Sequence, residues 1–227
     1  MKYQWILFDA DETLFHFDAF SGLKHLFNQY DVTFSAQDYN EYQQTNKRLW
    51  DEYQNHTIDA AQLQHTRFKI WADKLGVDTQ VLNSGFLNSM AEICALLPGA
   101  GELLSSLSGK VKMGIITNGF TDLQQIRLQR TGLNKMFEHI VISEQVGVAK
   151  PHINIFEHAF KLMQHPEKDQ ILMVGDNPHS DIKGANNAGI HSCWFNHRQE
   201  PMPEGIKPHY QVTSLAELQQ LLHAPTR

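Results

Sequence analysis

Short apolar runs closed by acidic or small polar residues recur along this chain, separated by longer stretches of helical spacing. Tyr3–Phe8 is aromatic and branched and stops at Asp9, which predicts a buried strand. From about Phe15 to about Ala95 the pattern is helical and strand signals are few. Ser35 and Asp38 form a capping box ahead of Tyr39, Tyr42 and Leu49. Asp59 and Gln62 open another helix, with Phe68, Trp71 and Leu75 on one side and Gly76 as its stop. A further helix is predicted from about Val81 to Ala95, and Pro98-Gly99 closes the region. Beyond Pro98 helices and strands alternate. The strands are Lys112–Thr117, Ile140–Ser143, Ile171–Val174 and Ser192–Phe195. The helices are Leu123–Arg130, Asn154–Met163, Ile182–Ala188 and, capped by Ser214 with Glu217, Leu215–Leu222.

Such alternation favours a parallel sheet covered by helices on both faces. Roughly eighty residues separate the first strand from its partners, too many for a structureless loop. The expected fold is therefore an α/β core, 1–15 and 96–227, with a helical domain, 16–95, inserted after the first strand. Ligands of open parallel sheets lie beyond the carboxyl ends of the strands, so an insertion there is expected to act as a cap.

Composition narrows the partners. A formal charge of -6 argues against a nucleic-acid polymer, which needs clustered Lys and Arg. A small anionic substrate fits, because a bound cation reverses the local field. Cys94 and Cys193 have neither zinc nor CxxC spacing, which points to a reducing compartment. Trp5–Phe8 is too short for a signal-peptide core, and no run approaches a membrane span. A cytoplasmic protein without a membrane partner is expected. The pattern assigns no oligomeric partner.

Four polar clusters follow predicted strands: Asp9-Ala10-Asp11-Glu12-Thr13, Thr117-Asn118-Gly119, Lys150-Pro151, and Gly175-Asp176 through Ser180-Asp181. Singly, each has an ordinary explanation: an Asp after a strand caps a helix, a Thr-Asn makes a turn, a Lys is solvated. Jointly, two acidic pairs, a threonine and a lysine would gather at one sheet edge.

The ordered set Asp-x-Asp-x-Thr, Thr, Lys and Gly-Asp-x-x-x-x-Asp resembles the haloacid dehalogenase superfamily of phosphohydrolases, over essentially the whole chain. Phe8–Phe15, Thr117–Phe120, Leu123–Leu133 and Val146–Pro151 are similar to its bacterial pyrimidine 5′-nucleotidase branch. The resemblance implies a Rossmann-like parallel-sheet core with a helical cap. It implies Asp9 as nucleophile and Asp11 as general acid and then base. Lys150 is implied to hold Asp9 and the phosphoryl oxygens, with Thr117 and the backbone N–H groups of Asn118 and Gly119 binding a further oxygen. Mg²⁺, or Mn²⁺, would be held by Asp9, Asp176 and the Asp11 backbone carbonyl, with Asp181 supporting it through water. Dehalogenases of the superfamily lack an acid at the position of Asp11, so phosphoryl transfer is the implied reaction. The implied substrate is a small phosphate monoester, a pyrimidine nucleoside 5′-monophosphate. The alternatives are a sugar-phosphate phosphatase on the same core and a non-catalytic phosphoacceptor module, which would need neither the cap nor Asp11.

The remaining features predict no second site. No two of the 13 histidines lie closer than six positions, so the i, i+4 pair of a helical zinc site is absent. Trp50, Trp71, Tyr39, Tyr42 and Phe68 are expected to form the core of the inserted domain, with one or two able to stack on a base.

Overall fold

The computed structural model describes residues 2–224. Six strands form one parallel sheet: β1 (Trp5–Phe8), β2 (Lys112–Thr117), β3 (His139–Ile142), β4 (Ile171–Gly175), β5 (His191–Phe195) and β6 (Tyr210–Val212). Their order is β3-β2-β1-β4-β5-β6, so the first strand lies inside the sheet. That position explains its composition: all four residues of β1 are buried, as are all five of β4. Trp5 and Leu7 point to one face, where they join Ile171 and Met173 and pack against Ile155, Phe156 and Phe160 of the helix Ile153–Leu162. The edge strand β6 carries no readable signal. It spans three residues, Tyr-Gln-Val, of which only Val212 is buried.

The chain folds as two compact units. Among the described residues, the first contains 2–16, 95–119 and 131–224; it holds the whole sheet. The second contains Phe17–Cys94 and Phe120–Arg130 and is helical. The helix Thr121–Arg130 belongs to this second unit although it follows β2 in sequence.

Within the helical unit both capping boxes form. Ser35 and Asp38 exchange bonds at 2.8 and 3.2 Å, and Asp59 and Gln62 at 2.9 and 2.7 Å. The stretch between Asp59 and Gly76 is two helices, Ala60–Thr66 and Lys69–Leu75, rather than one. It breaks at Phe68, whose φ of -105° and ψ of 0° leave the helical region. The Phe68 ring is fully buried against Tyr42 and Phe86, so tertiary packing overrides the local periodicity. Gly76, at φ +65°, ends the second helix in the left-handed conformation that glycine adopts without steric cost. The Arg67 guanidinium lies 5.1–5.3 Å from the Phe68, Phe86 and Phe120 ring centres and donates to Asn83.

Candidate active site

Parallel register brings the site together. Phe8 is level with Ile115 on one side and Val174 on the other, while Ile142 is level with Thr117. The next residues, Asp9 after β1 and Asp176 after β4, therefore leave the sheet at the same edge as Thr117. The Asp9 N–H donates to the Val174 carbonyl at 2.8 Å and extends the ladder one residue. Lys150 arrives from the loop that follows β3 and the short helix Ser143–Val146.

The Lys150 ammonium is almost completely buried and is fully used. It donates to Asp9 Oδ1 at 2.6 Å, Asp181 Oδ1 at 2.6 Å and the Ile116 carbonyl at 2.7 Å, which are its three hydrogens. The lysine backbone is held as firmly. Its N–H donates to Asn118 Oδ1 at 2.7 Å, and its carbonyl accepts from Asn118 Nδ2 at 3.0 Å. Asn118 thus ties the loop after β2 to the lysine loop through its side chain. The Gly119 N–H donates to Thr117 Oγ1 at 3.1 Å.

Oxygens of Asp9, Asp176 and Asp181 lie within 4.8 Å of one another. Each is oriented by neighbours. The Asp176 N–H donates to Thr13 Oγ1 at 3.0 Å, and the Asp176 carbonyl accepts from Trp194 Nε1 at 2.8 Å. Asp181 Oδ2 accepts from the Asn177 N–H at 3.0 Å, and Ser180 Oγ donates to Asp181 Oδ1 at 3.3 Å. A single π-helical turn, Pro178–Ile182, brings Asp181 back toward Asp176, with the Asn177 side chain accepting from His179 and Ser180 N–H. Gly175 makes this return possible. A β-carbon there would run into the Asp181 carboxylate. Gly175→Ala is expected to lower stability by about 1–3 kcal/mol, the usual cost of overpacking, read as a fall of several degrees in the thermal midpoint. An unchanged midpoint would show that Asp181 has room to move.

Electrostatics mark the cluster as short of positive charge. Burial is the largest influence on Asp9; Lys150 pulls its pKa down, but burial together with repulsion from Asp181 and Asp11 prevails and raises it to about 7. Asp176 rises to about 8, first through burial and then through Asp9 and Asp181. Burial opposes the charge of Lys150, but Asp181 and Asp9 more than offset it and hold the pKa above the usual lysine value. Three carboxylates around one ammonium fit a hard divalent cation bound through oxygen. The carboxylate of Asp11 is not in that oxygen group; Asp11 is partly buried at the start of a tight turn in which Asp11 bridges to Phe15.

Several contributors carry no individual sequence signal. Thr13 lies within the first cluster, but its bond to Asp176 spans 163 positions. Trp194 reads only as a strand residue. Asn177 and Ser180 read only as turn formers.

A parallel sheet that delivers acidic groups, a threonine and a lysine to one edge defines a hydrolase of the haloacid dehalogenase-like class. The chain belongs to that family, whose pattern matches residues 3–189. Two relatives are more specific. Pyrimidine 5′-nucleotidase YjjG of Escherichia coli is 54% identical over 98% of this chain and 99% of its own length. Pyrimidine 5′-nucleotidase PynA of Streptococcus pneumoniae is 33% identical over 96% and 94%. Among solved structures, the HAD-hydrolase YfnB of Bacillus subtilis, in a magnesium-bound form, superposes with a TM-score of 0.85 at 28% identity, covering 99% of this chain and 100% of that one.

Proposed function

We propose that this protein is a Mg²⁺-dependent phosphatase that hydrolyses pyrimidine nucleoside 5′-monophosphates through an aspartyl-phosphate on Asp9. The observation that carries the chemistry is the buried Lys150 ammonium bridging Asp9 and Asp181 beside Asp176. It holds one oxygen of Asp9, and the other is the one that attacks. The substrate class is supported by the two nucleotidases that match over nearly their full lengths.

In the first step an Asp9 carboxylate oxygen forms a bond to phosphorus while the bond to the ester oxygen breaks. Asp11 gives its proton to the departing alkoxide. In the second, water attacks phosphorus, Asp11 takes back a proton, and the bond to Asp9 breaks to release inorganic phosphate and restore the carboxylate. Lys150 and Thr117, with the N–H groups of Asn118 and Gly119, hold the phosphoryl oxygens. For the Gly119 N–H this means exchanging its bond to Thr117 for one to substrate, and for the Lys150 ammonium turning one of its three hydrogens from a protein oxygen to a phosphoryl oxygen. Asp9, Asp176 and the Asp11 carbonyl, with Asp181 in support, would hold Mg²⁺ or Mn²⁺, which would supply the neutralisation that lets an anionic nucleophile approach an anionic ester.

The sheet-bearing unit carries this chemistry, and the helical unit, which takes in 120–130 as well as the insertion, serves as a cap that selects the leaving group. No described helix is long and apolar enough to cross a membrane. Neither Cys94 nor Cys193 is in a disulfide, and burial pushes the Cys193 thiol up to about 12. Cysteines outside any disulfide fit a reducing, cytoplasmic compartment.

A panel of pyrimidine and purine nucleoside monophosphates and sugar phosphates, assayed with Mg²⁺ and with excess EDTA, tests the reading. The expected result is highest kcat/KM on pyrimidine nucleotides and loss of turnover in EDTA. Equal or better rates on sugar phosphates would overturn the substrate assignment, and full activity in EDTA the metal assignment.

A further inference from the structure

The turn Asp9–Phe15 contains one charged residue with no part in the chemistry above. Glu12 sits between Asp11 and Thr13 at φ +56°, in the left-handed region that a residue with a β-carbon rarely occupies. Its N–H donates to the Phe15 carbonyl at 2.7 Å, while Leu14 and Phe15 N–H both donate to the Ala10 carbonyl at 3.0 Å. The chain therefore closes on itself around Glu12. The Glu12 side chain, 15% exposed, meets basic groups from both ends of the sequence. Arg198 Nη2, from the segment after β5, donates to Oε2 at 2.6 Å. His16 Nδ1 lies 3.2 Å from Oε1, and His197 Nε2 lies 3.8 Å from Oε2. Arg198 also lines, with Asp176 and Asn177, a cavity of about 180 Å³ beside the acidic cluster.

Two costs meet at Glu12. A left-handed non-glycine backbone stores strain and persists only where its surroundings over-determine it. A carboxylate there also adds a fifth negative group to a region that already holds Asp9, Asp11, Asp176 and Asp181. One guanidinium offsets both: it anchors the side chain and supplies the missing charge. Its field also reaches Asp176.

We propose that Arg198 is a positioning residue for the reaction: by holding Glu12 it fixes the 9–15 turn, and with it the poses of the Asp11 and Thr13 side chains on either side. A half-exposed ion pair contributes little to global stability, so its effect is expected in turnover rather than in the thermal midpoint. The contact is made through one nitrogen, so a lysine can partly replace it. The kinetic part rests on the phosphatase reading; the structural part does not.

The test compares Arg198→Gln, Arg198→Lys, Glu12→Gln and the Glu12→Gln/Arg198→Gln double variant with the wild type. The readouts are kcat and KM on a pyrimidine nucleoside monophosphate, the thermal midpoint, and hydrogen exchange at the Glu12, Leu14 and Phe15 amides. Arg198→Gln is expected to lower kcat roughly tenfold, because small misplacements of reacting groups are costly, with KM nearly unchanged and faster exchange at those three amides. Arg198→Lys should recover part of the loss. The double variant should be no worse than Arg198→Gln alone, since both changes break one contact. Wild-type kcat in an active Arg198→Gln enzyme overturns the proposal, as do fully additive losses in the double variant. If the wild type hydrolysed no phosphate monoester, the phosphatase reading would fall, and the amide exchange alone would decide whether Arg198 fixes the turn: unchanged rates would reject it.

Discussion

Lys150→Met is expected to lower both turnover and stability, and to cost more stability than any other single change at the site. The ammonium satisfies two carboxylates and a carbonyl from inside the protein, with only 1% of its side chain exposed. Methionine keeps the volume and removes the charge. Asp9 and Asp181 then face each other without a counter-ion, and the Ile116 carbonyl loses its donor. Breaking a buried pair by removing one partner costs about 3–5 kcal/mol, partly relieved when Asp9, already raised toward neutrality, takes up a proton. Loss of a preorganised donor to the reacting oxygens costs roughly a further 10²–10³ in kcat. Lys150→Arg should rescue little, because a planar fork cannot replace three hydrogens diverging from one nitrogen. Urea unfolding and steady-state kinetics on the same preparation check both halves. Wild-type turnover in Lys150→Met would remove the lysine from the mechanism.

Asp9→Asn should behave differently: inactive but stable. The amide keeps an oxygen able to accept from Lys150 Nζ, and the lysine retains Asp181 and the Ile116 carbonyl. One of three crowded carboxylates becomes neutral, which relieves Asp176 of its strongest charged opponent. Stability is therefore expected to hold or rise in metal-free buffer. The amide has no anionic oxygen with which to attack phosphorus, and loss of a covalent nucleophile costs on the order of 10⁴–10⁶ in kcat. Together the two variants separate a group whose removal damages structure and chemistry from one whose removal damages chemistry alone.

The gathering of Asp9, Lys150, Asp176 and Asp181 is legible in the sequence because a parallel sheet converts order along the chain into position at an edge. Each strand announces itself by apolar composition, and the residue that follows it has nowhere else to emerge. What escapes the sequence is whatever depends on pairs formed only by folding. Arg198 and Glu12 are 186 positions apart, and neither stands out from ordinary surface charge. Thr13 reads as a turn residue until the Asp176 N–H is seen to donate to it. The helical unit shows the same limit. Its capping boxes are local chemistry and are readable, whereas the break at Phe68 answers to Tyr42 and Phe86 across the domain. The grouping of Thr121–Arg130 with the helical unit has no local signal at all, since that helix follows a core strand directly.

The most direct measurement is a rapid-mix experiment with a pyrimidine nucleoside monophosphate, quenched in acid within one turnover and reduced with borohydride. Reduction converts an acyl phosphate to a primary alcohol, and peptide mass spectrometry locates it. Substrate-dependent reduction at Asp9, absent in Asp9→Asn, is the predicted result. Phosphate release in the first turnover with Asp9 unmodified, or modification at another carboxylate, would contradict the account.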